Sequence, residues 1–419
     1  MRMMKRNRGL WTAGAVALGA LLLASVASAD EADVSTERSG SIVVFPKIVW
    51  DGTRDTIVQI SNTGNPMVHA HCFYVNASPV DPSLPPSVLN PPQWQETDFD
   101  IWLTRQQPTH WVVSTGRRPF IFDDFGTDGA GLDPGLVPPV PLGFRGELKC
   151  IQTDESGAVS PGNKLKGEAT LRRFDGDVSR YNAIALQGNP NLSGASIGND
   201  LQLNLTSSNP GGEFSACPDK LLFDHYADGV SDPVIDQIGS CTSVCFGGPN
   251  NGAPCSTNSD CGTTSSTARC LACPIQTTLT LVPCSEDFEN QVPGRVTVQF
   301  DIINEFEEHL SASTTVDCFL DIPLSQISPA FTFAGFITTP SAYTRISPVP
   351  GQGAVIGIAE ESRLDTFSQG PDGLSRGKGP TTTAAYNLDI EGNRFDAATN
   401  PDGTTTAGVT DHIIVPPAE

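Results

Sequence analysis

The sequence predicts an all-β protein made of two β-sandwich units with a disulfide-stapled module between them, and three observations carry that expectation. The 40 Gly and 34 Pro interrupt every long helical pattern, while short Val, Ile, Thr and Phe runs recur between turn residues. Six of the 11 Cys fall between Cys241 and Cys273, in a stretch with almost no large apolar side chain. The 419 residues exceed what one sandwich holds, and strand patterns both precede and follow that stretch. The segments then run as an export signal over 1–29, a first sandwich over 40–188, a linker with short strands over 189–240, the Cys-rich module over 241–273 and a second sandwich over 277–415.

Arg2, Lys5, Arg6 and Arg8 form a basic n-region, Thr12 to Val26 an apolar h-region, and Ala27-Ser28-Ala29 a small-residue cleavage site. The expected product is secreted, to the periplasm, cell surface or medium, without a lipid anchor, because no Cys follows the h-region. Cleavage would take the formal charge from −22 to −26 by removing those four basic residues. A charge of that sign repels phosphate backbones and anionic lipid, which excludes nucleic acid as a main partner and favours divalent cations. No later apolar run reaches about 18 residues, so no transmembrane helix is expected.

In the first unit, Ser41-Ile-Val-Val-Phe45 and Thr56-Ile-Val-Gln-Ile60 read as strands around the Asp51 to Asp55 turn, and a third strand runs from Met67 to Val75. Pro79 to Pro92 reads as an excursion, because Pro cannot donate to a ladder. Strands resume at Phe99 to Leu103, Trp111 to Ser114, Phe120 to Phe122, Gly146 to Ile151, Gly167 to Leu171 and Tyr181 to Leu186. Val58-Gln59-Ile60-Ser61-Asn62-Thr63-Gly64 resembles the strand and loop of bacterial immunoglobulin-like extracellular domains, which implies two tandem immunoglobulin-like sandwiches. Cys72 and Cys150 stand alone in this half and are expected to pair, closing a long loop.

The central block reads C-x3-C-x9-C-x5-C-x8-C-x2-C over Cys241, Cys245, Cys255, Cys261, Cys270 and Cys273. With so little to bury, it must be held covalently; in an exported chain three disulfides are favoured over zinc, although Cys270-Leu-Ala-Cys273 has ligand-like spacing. Cys245-Phe-Gly-Gly-Pro-Asn-Asn-Gly-Ala-Pro-Cys255 resembles short Cys-rich modules of large secreted bacterial surface proteins, a resemblance that implies no activity.

The second unit begins at Thr278-Leu-Thr-Leu-Val-Pro-Cys284 and reads as a repeat of the first. Thr56 to Asn62 is matched with Val296 to Asn304, the Cys72 strand with the Cys318 strand, and Tyr181-Asn182 with Tyr386-Asn387. Cys284 and Cys318 are expected to pair, which leaves Cys217 over.

Four places could carry chemistry. His69-Ala-His71 puts two imidazoles on one strand face, a seed for a metal site with no third ligand in the spacing. Asp123, Asp124, Asp128 and Asp133 line a glycine loop of the kind that suits Ca²⁺, although Gly126 and Gly135 break the EF-hand pattern. Gly194-Ala-Ser196-Ile-Gly198 spells a nucleophile elbow but lacks the flanking strand and helix. Trp50, Trp94, Trp102 and Trp111 all lie in the first half, and Trp94 and Trp102 are candidates for stacking on a glycan. Nothing in the pattern fixes a reaction. The expected function is therefore structural or adhesive, in a surface layer or filament, with an extracellular protein or glycan as partner or with self-association by strand addition through Ser41 to Ile48. The alternative is a glycan-binding or glycan-active secreted protein.

Overall fold

A computed structural model describes residues 34–81, 90–117, 135–154, 157–160, 162–174, 176–188, 200–202, 217–231, 243–250, 253–262, 268–350, 352–364, 367–369, 375–377, 380–393 and 412–415. The export signal, the Phe120 to Phe122 strand, Asp123, Asp124, Asp128, Asp133, Ser196 and Cys241 lie outside them. Among the described residues no helix is long and apolar enough to cross a membrane.

The protein is nearly all β, as its turn-rich composition dictates. The first half supplies β1 (Val34–Ser35), β2 (Ile42–Trp50), β3 (Arg54–Asn62), β4 (Val68–Asn76), β5 (Gln95–Leu103), β6 (Pro108–Val112), β7 (Phe144–Thr153), β8 (Leu165–Arg173), β9 (Val178–Asn182) and β10 (Ile184–Leu186). They form a six-stranded sheet, β1-β10-β2-β7-β4-β5, and a four-stranded sheet, β6-β3-β8-β9. A core of alternate residues fills the space between them, including Val43, Phe45, Val58, Ile60, Tyr74 and Trp111. Cys72 and Cys150 face each other across β4 and β7 and are bonded. That bond joins neighbours within one sheet, whereas the immunoglobulin pattern bridges two sheets.

Then come β11 (Asp200–Gln202), β12 (Pro218–Tyr226), β13 (Ser243–Phe246), β14 (Arg269–Ala272), β15 (Ile275–Pro283), β16 (Glu286–Asp287), β17 (Arg295–Asn304), β18 (His309–Asp317), β19 (Leu320–Pro323), β20 (Ser341–Pro348), β21 (Val355–Leu364), β22 (Phe367–Gln369), β23 (Ser375–Gly377), β24 (Pro380–Asn387), β25 (Asp389–Asn393) and β26 (His412–Ile414). A five-stranded sheet, β18-β17-β20-β12-β25, and a four-stranded sheet, β19-β15-β21-β24, enclose a second core around Phe223, Leu279, Phe300 and Ile346.

Nine strands of each half follow the same order in their sheets. Reading β2 to β10 onto β12, β15, β17, β18, β19, β20, β21, β24 and β25 converts the order β10-β2-β7-β4-β5 into β25-β12-β20-β17-β18, and β6-β3-β8-β9 into β19-β15-β21-β24. Tyr181-Asn182 on β9 and Tyr386-Asn387 on β24 therefore lie at corresponding positions in the two strand orders. The match of Thr56–Asn62 to Val296–Asn304 is out of register: β3 corresponds to β15, and β17 to β4. Isolated Val-x-Val strings look alike on any strand, so short matches could not fix the offset.

Two further corrections concern boundaries. The expected linker over 189–240 contains β12, a nine-residue strand held between β20 and β25, with Leu221 and Phe223 facing the core. The second sandwich thus starts before the Cys-rich module, which is an insertion between β12 and β15. The segment Ser41 to Ile48, expected as a donor strand, is flanked by β10 and β7 and has no open edge. Its run of buried residues without alternation is the mark of a strand covered on both faces.

Within the module, β13 and β14 form a hairpin crossed by the disulfides Cys245–Cys261 and Cys255–Cys270. Its core is little more than these sulfurs and Ala268, as a stretch poor in apolar residues requires. Cys273 is also disulfide-bonded. Three sulfurs, of Cys245, Cys255 and Cys261, lie within 4.8 Å of one another, but each is committed to a disulfide and has no thiolate to give a metal. The expected Cys284–Cys318 bond is overturned: Cys217, at the head of β12, bonds Cys284 at the end of β15, and Cys318 is a buried free thiol. Cys217 was left over by counting because nothing in the sequence places it beside Cys284; the strand β12 that follows it does.

Candidate functional site

The candidate site is the outer face of the six-stranded sheet, built by the period-2 alternation of three adjacent strands. On β4, Val68, Ala70, Cys72 and Tyr74 enter the sandwich core, so His69, His71, Phe73 and Val75 face outward. Their partners are Trp102, Asp100, Asp98 and Glu96 on β5, and Thr153, Ile151, Lys149 and Glu147 on β7. The second sandwich covers one end of this face. The other end carries the histidines and aspartates.

At the covered end Phe73 stacks on Phe288 with ring centroids 4.3 Å apart, and Trp94 lies on the same ring at 5.8 Å while its Nε1–H donates to Glu286. Lys149 is fully buried between Glu147, at 3.1 Å, and Glu286. One cation for two carboxylates leaves an excess of negative charge. Burial, then the neighbouring Glu286, push the Glu147 carboxyl well above the usual carboxylate range, and Lys149 offsets this only in part.

A second buried set lies beside it. Pro46 lacks an N–H and sits in a bulge of β2, between Phe45 and Ile48. The bulge turns Lys47 outward, where its Nζ meets Asp321 at 2.9 Å and Glu360 at 2.7 Å, both on the second sandwich. Arg145 adds a contact to Asp321 at 3.2 Å and Arg54 one to Glu360 at 3.7 Å. The Tyr181 hydroxyl holds the bulge by donating to the Lys47 carbonyl and accepting its N–H. Next to it the equivalent Asn182 and Asn387 join the sandwiches: the Asn182 N–H donates to Asn387 Oδ1, and Asn387 Nδ2 donates to the Asn182 carbonyl.

At the open end Asp100 Oδ1 stands 2.8 Å from His71 Nδ1 and 3.0 Å from His69 Nε2. Asp98 Oδ2 lies 3.7 Å from His71 Nε2. The His69 ring stacks on Trp102, 4.1 Å away and 13° from parallel. The two imidazoles hold the Asp100 carboxyl far below the usual carboxylate range, His69 contributing most, against a smaller opposing effect of burial.

Of the residues singled out in the sequence, His69 and His71 come together with a carboxylate that spacing could not supply, because Asp100 arrives from another strand. Trp94 is buried at the junction and offers no glycan platform; Trp102 is half-buried under His69. Glu305, Glu307, Glu308 and His309 belong to the β17–β18 turn, where Asn304 Oδ1 accepts the N–H groups of Phe306 and Glu308. Sequence reasoning missed Lys47 and Lys149, although a lysine inside an otherwise apolar strand run is a signal of a buried ion pair.

No known protein family and no characterised protein matches the chain. Among solved structures the chain is similar to the empty top-component particles of cowpea mosaic virus, at 11% identity over 86% of this chain and 91% of that one, with a TM-score of 0.17. A likeness at that level carries no argument about fold or function.

Proposed function

We propose that the chain is an exported, non-enzymatic structural or adhesive protein whose two tandem sandwiches act as one rigid body at an extracellular surface. The observation that supports this best is the junction. Separating the sandwiches would break the Lys47 pairs with Asp321 and Glu360 and the Lys149 pair with Glu286, and would expose the stacked Phe73, Trp94 and Phe288 rings to water, which opposes opening. A rigid strut suits a scaffold or adhesin better than an enzyme that must close over a substrate. The disulfides and the signal pattern agree with an oxidising destination. Calcium held by Asp123, Asp124, Asp128 and Asp133 is part of the same proposal, with an extracellular protein or glycan as partner.

Expression with the native leader tests the destination: exported protein should begin at Asp30, and retention of residues 1–29 on an intracellular product would refute it. Single-molecule extension tests rigidity, since the reading requires both sandwiches to resist as a unit before either unfolds. Binding on a glycan array that is lost in Trp102→Ala would instead favour the glycan-binding alternative.

A further inference from the structure

We propose that Lys149 and Glu286 join in an intramolecular amide bond across the junction, formed after folding with Glu147 as the proton-transfer group.

The reacting groups are already in contact. Lys149 Nζ meets Glu286 Oε2, and Glu147 Oε1 lies 3.1 Å from the same nitrogen. The side chains of Lys149 and Glu286 are 0% exposed and that of Glu147 is 1%, so bulk water does not compete with the amine for the carboxyl. Glu147 and Lys149 stand two residues apart on β7, hence on one face, and β16, just after β15, brings Glu286 onto it. Water opposes amide formation by solvating both ions and by hydrolysing the product. Here the stacked rings of Phe73, Phe288 and Trp94 wall it out. Two groups held in contact can react as if at about 10⁵–10⁸ M.

The protons are also in place. Glu147 Oε2 is buried and meets no hydrogen-bond donor among the described residues, an arrangement that suits the protonated acid, which can donate to Glu286 instead. Burial alone would push the Lys149 ammonium down, but Glu147, then Glu286, hold it above its usual value. The amine is therefore freed only by passing a proton to its own partner, which turns a buried ion pair into an amine and a carboxylic acid. The amine lone pair attacks Glu286 Cδ, and Oε1, 3.2 Å from the Trp94 Nε1–H, takes the negative charge as the carbonyl opens. Glu147 accepts a proton from the nitrogen and returns one to Oε2, which leaves as water as the carbonyl re-forms on Oε1. Of the three ammonium protons, two depart in that water and one stays as the amide N–H, which can donate to the Pro283 carbonyl, 3.4 Å from Nζ. The charges of Lys149 and Glu286 disappear together, and Glu147 ends as the neutral acid it began as. No oxidant or co-reactant is needed.

The bond would lock the junction on which the rigid-strut reading rests, yet it stands separately, because without it the ion pairs still join the sandwiches. The measurement is the mass of the full, folded, exported protein after reduction and alkylation. It should be one water below the sequence mass of the mature chain, and digestion should give a branched peptide joining Lys149 to Glu286, with no tryptic cleavage after Lys149. The bond closes a loop of 137 residues and should change mobility on a reducing, denaturing gel, whereas Lys149→Met should show the full mass of its own sequence and the mobility of an open chain. Glu147→Gln keeps the shape without the acid; at the same time after synthesis its cross-linked fraction should fall at least about tenfold. Should Lys149→Met fail to fold, the wild-type peptide map decides by itself. Linear Lys149 and Glu286 peptides from folded wild type would overturn the proposal, as would a lost water mapped to any other position. Linear peptides from a protein that still resists extension as one body would sink the bond and leave the strut. Undiminished cross-linking in Glu147→Gln would overturn the role given to Glu147.

Discussion

Replacing Lys47 by Met tests whether the junction holds the two sandwiches together. The Lys47 ammonium is 1% exposed and meets two carboxylates at 2.9 and 2.7 Å, Asp321 and Glu360, themselves 2% and 5% exposed. Methionine fills a similar volume but leaves both carboxylates short of a cation. Removing one member of a buried ion pair costs about 3–5 kcal/mol. Arg145 and Arg54 remain, so the loss should sit near the lower end, about 3 kcal/mol. At a urea slope of about 3 kcal/mol/M that moves the midpoint by about 1 M. If the junction opens before the sandwiches melt, tryptophan fluorescence should instead split into two transitions, because all the described tryptophans lie in the first half. The defect should depend on pH with a definite sign. Burial alone would raise the Asp321 pKa, but Lys47, then Arg145, overcome it and hold the carboxyl well below the usual range. A depressed pKa contributes stability above the ordinary carboxylate value and loses it as pH falls. The gap between wild type and variant should therefore narrow below about pH 4. A variant within about 0.5 kcal/mol of wild type at pH 7, the range of an ordinary surface substitution, would refute the reasoning.

The other predictions are briefer. Glu147→Gln removes a carboxyl whose pKa is raised, a group that destabilises the fold as pH rises; the variant should gain in Tm relative to wild type from pH 5 upward, and a constant difference would contradict this. His225 is buried, donates from Nδ1 to the Tyr226 carbonyl and is pushed down to about 4 from 6.5 by burial, so it costs stability as pH falls through that window, by about 3 kcal/mol. His225→Gln should flatten that loss, provided Asp228→Asn is measured beside it, because burial raises Asp228 to about 6 and acts in the opposite direction. Cys72→Ala with Cys150→Ala opens a loop of 78 residues and should cost about 3–5 kcal/mol in chemical denaturation. Mild reduction should release amide protection across 243–272 before it touches β2, β7 or β17, and simultaneous release would show that the module has a core of its own beyond its sulfurs. Melting in millimolar CaCl₂ against NaCl of equal ionic strength, with Asp128→Ala as control, tests the calcium loop; equal responses would leave it an ordinary acidic turn.

What the sequence determined by itself was local. Gly and Pro spacing set the β class, since those residues forbid long helices wherever they stand. Cys72 and Cys150 were isolated in their half, so their pairing followed from counting, and the scarcity of apolar residues after Cys241 required a covalent core. Only the tertiary structure decided what covers each face and which distant strand lies beside which. The strand Ile42–Trp50 has buried residues on both sides because a second sandwich packs on its outer face, and nothing nearby in the chain names that partner. Pro218–Tyr226 looked like linker because its neighbours are Gly- and Asn-rich, yet it completes a sheet whose other strands begin more than 70 residues later. The Cys217–Cys284 bond followed from that placement. Asp100 joins His69 and His71 by cross-strand register, and Lys47 finds Asp321 across a separation of 274 residues. Side-chain periodicity reports whether a residue is buried; it carries no information about the partner that buries it, because that partner is set by packing between segments far apart in the chain.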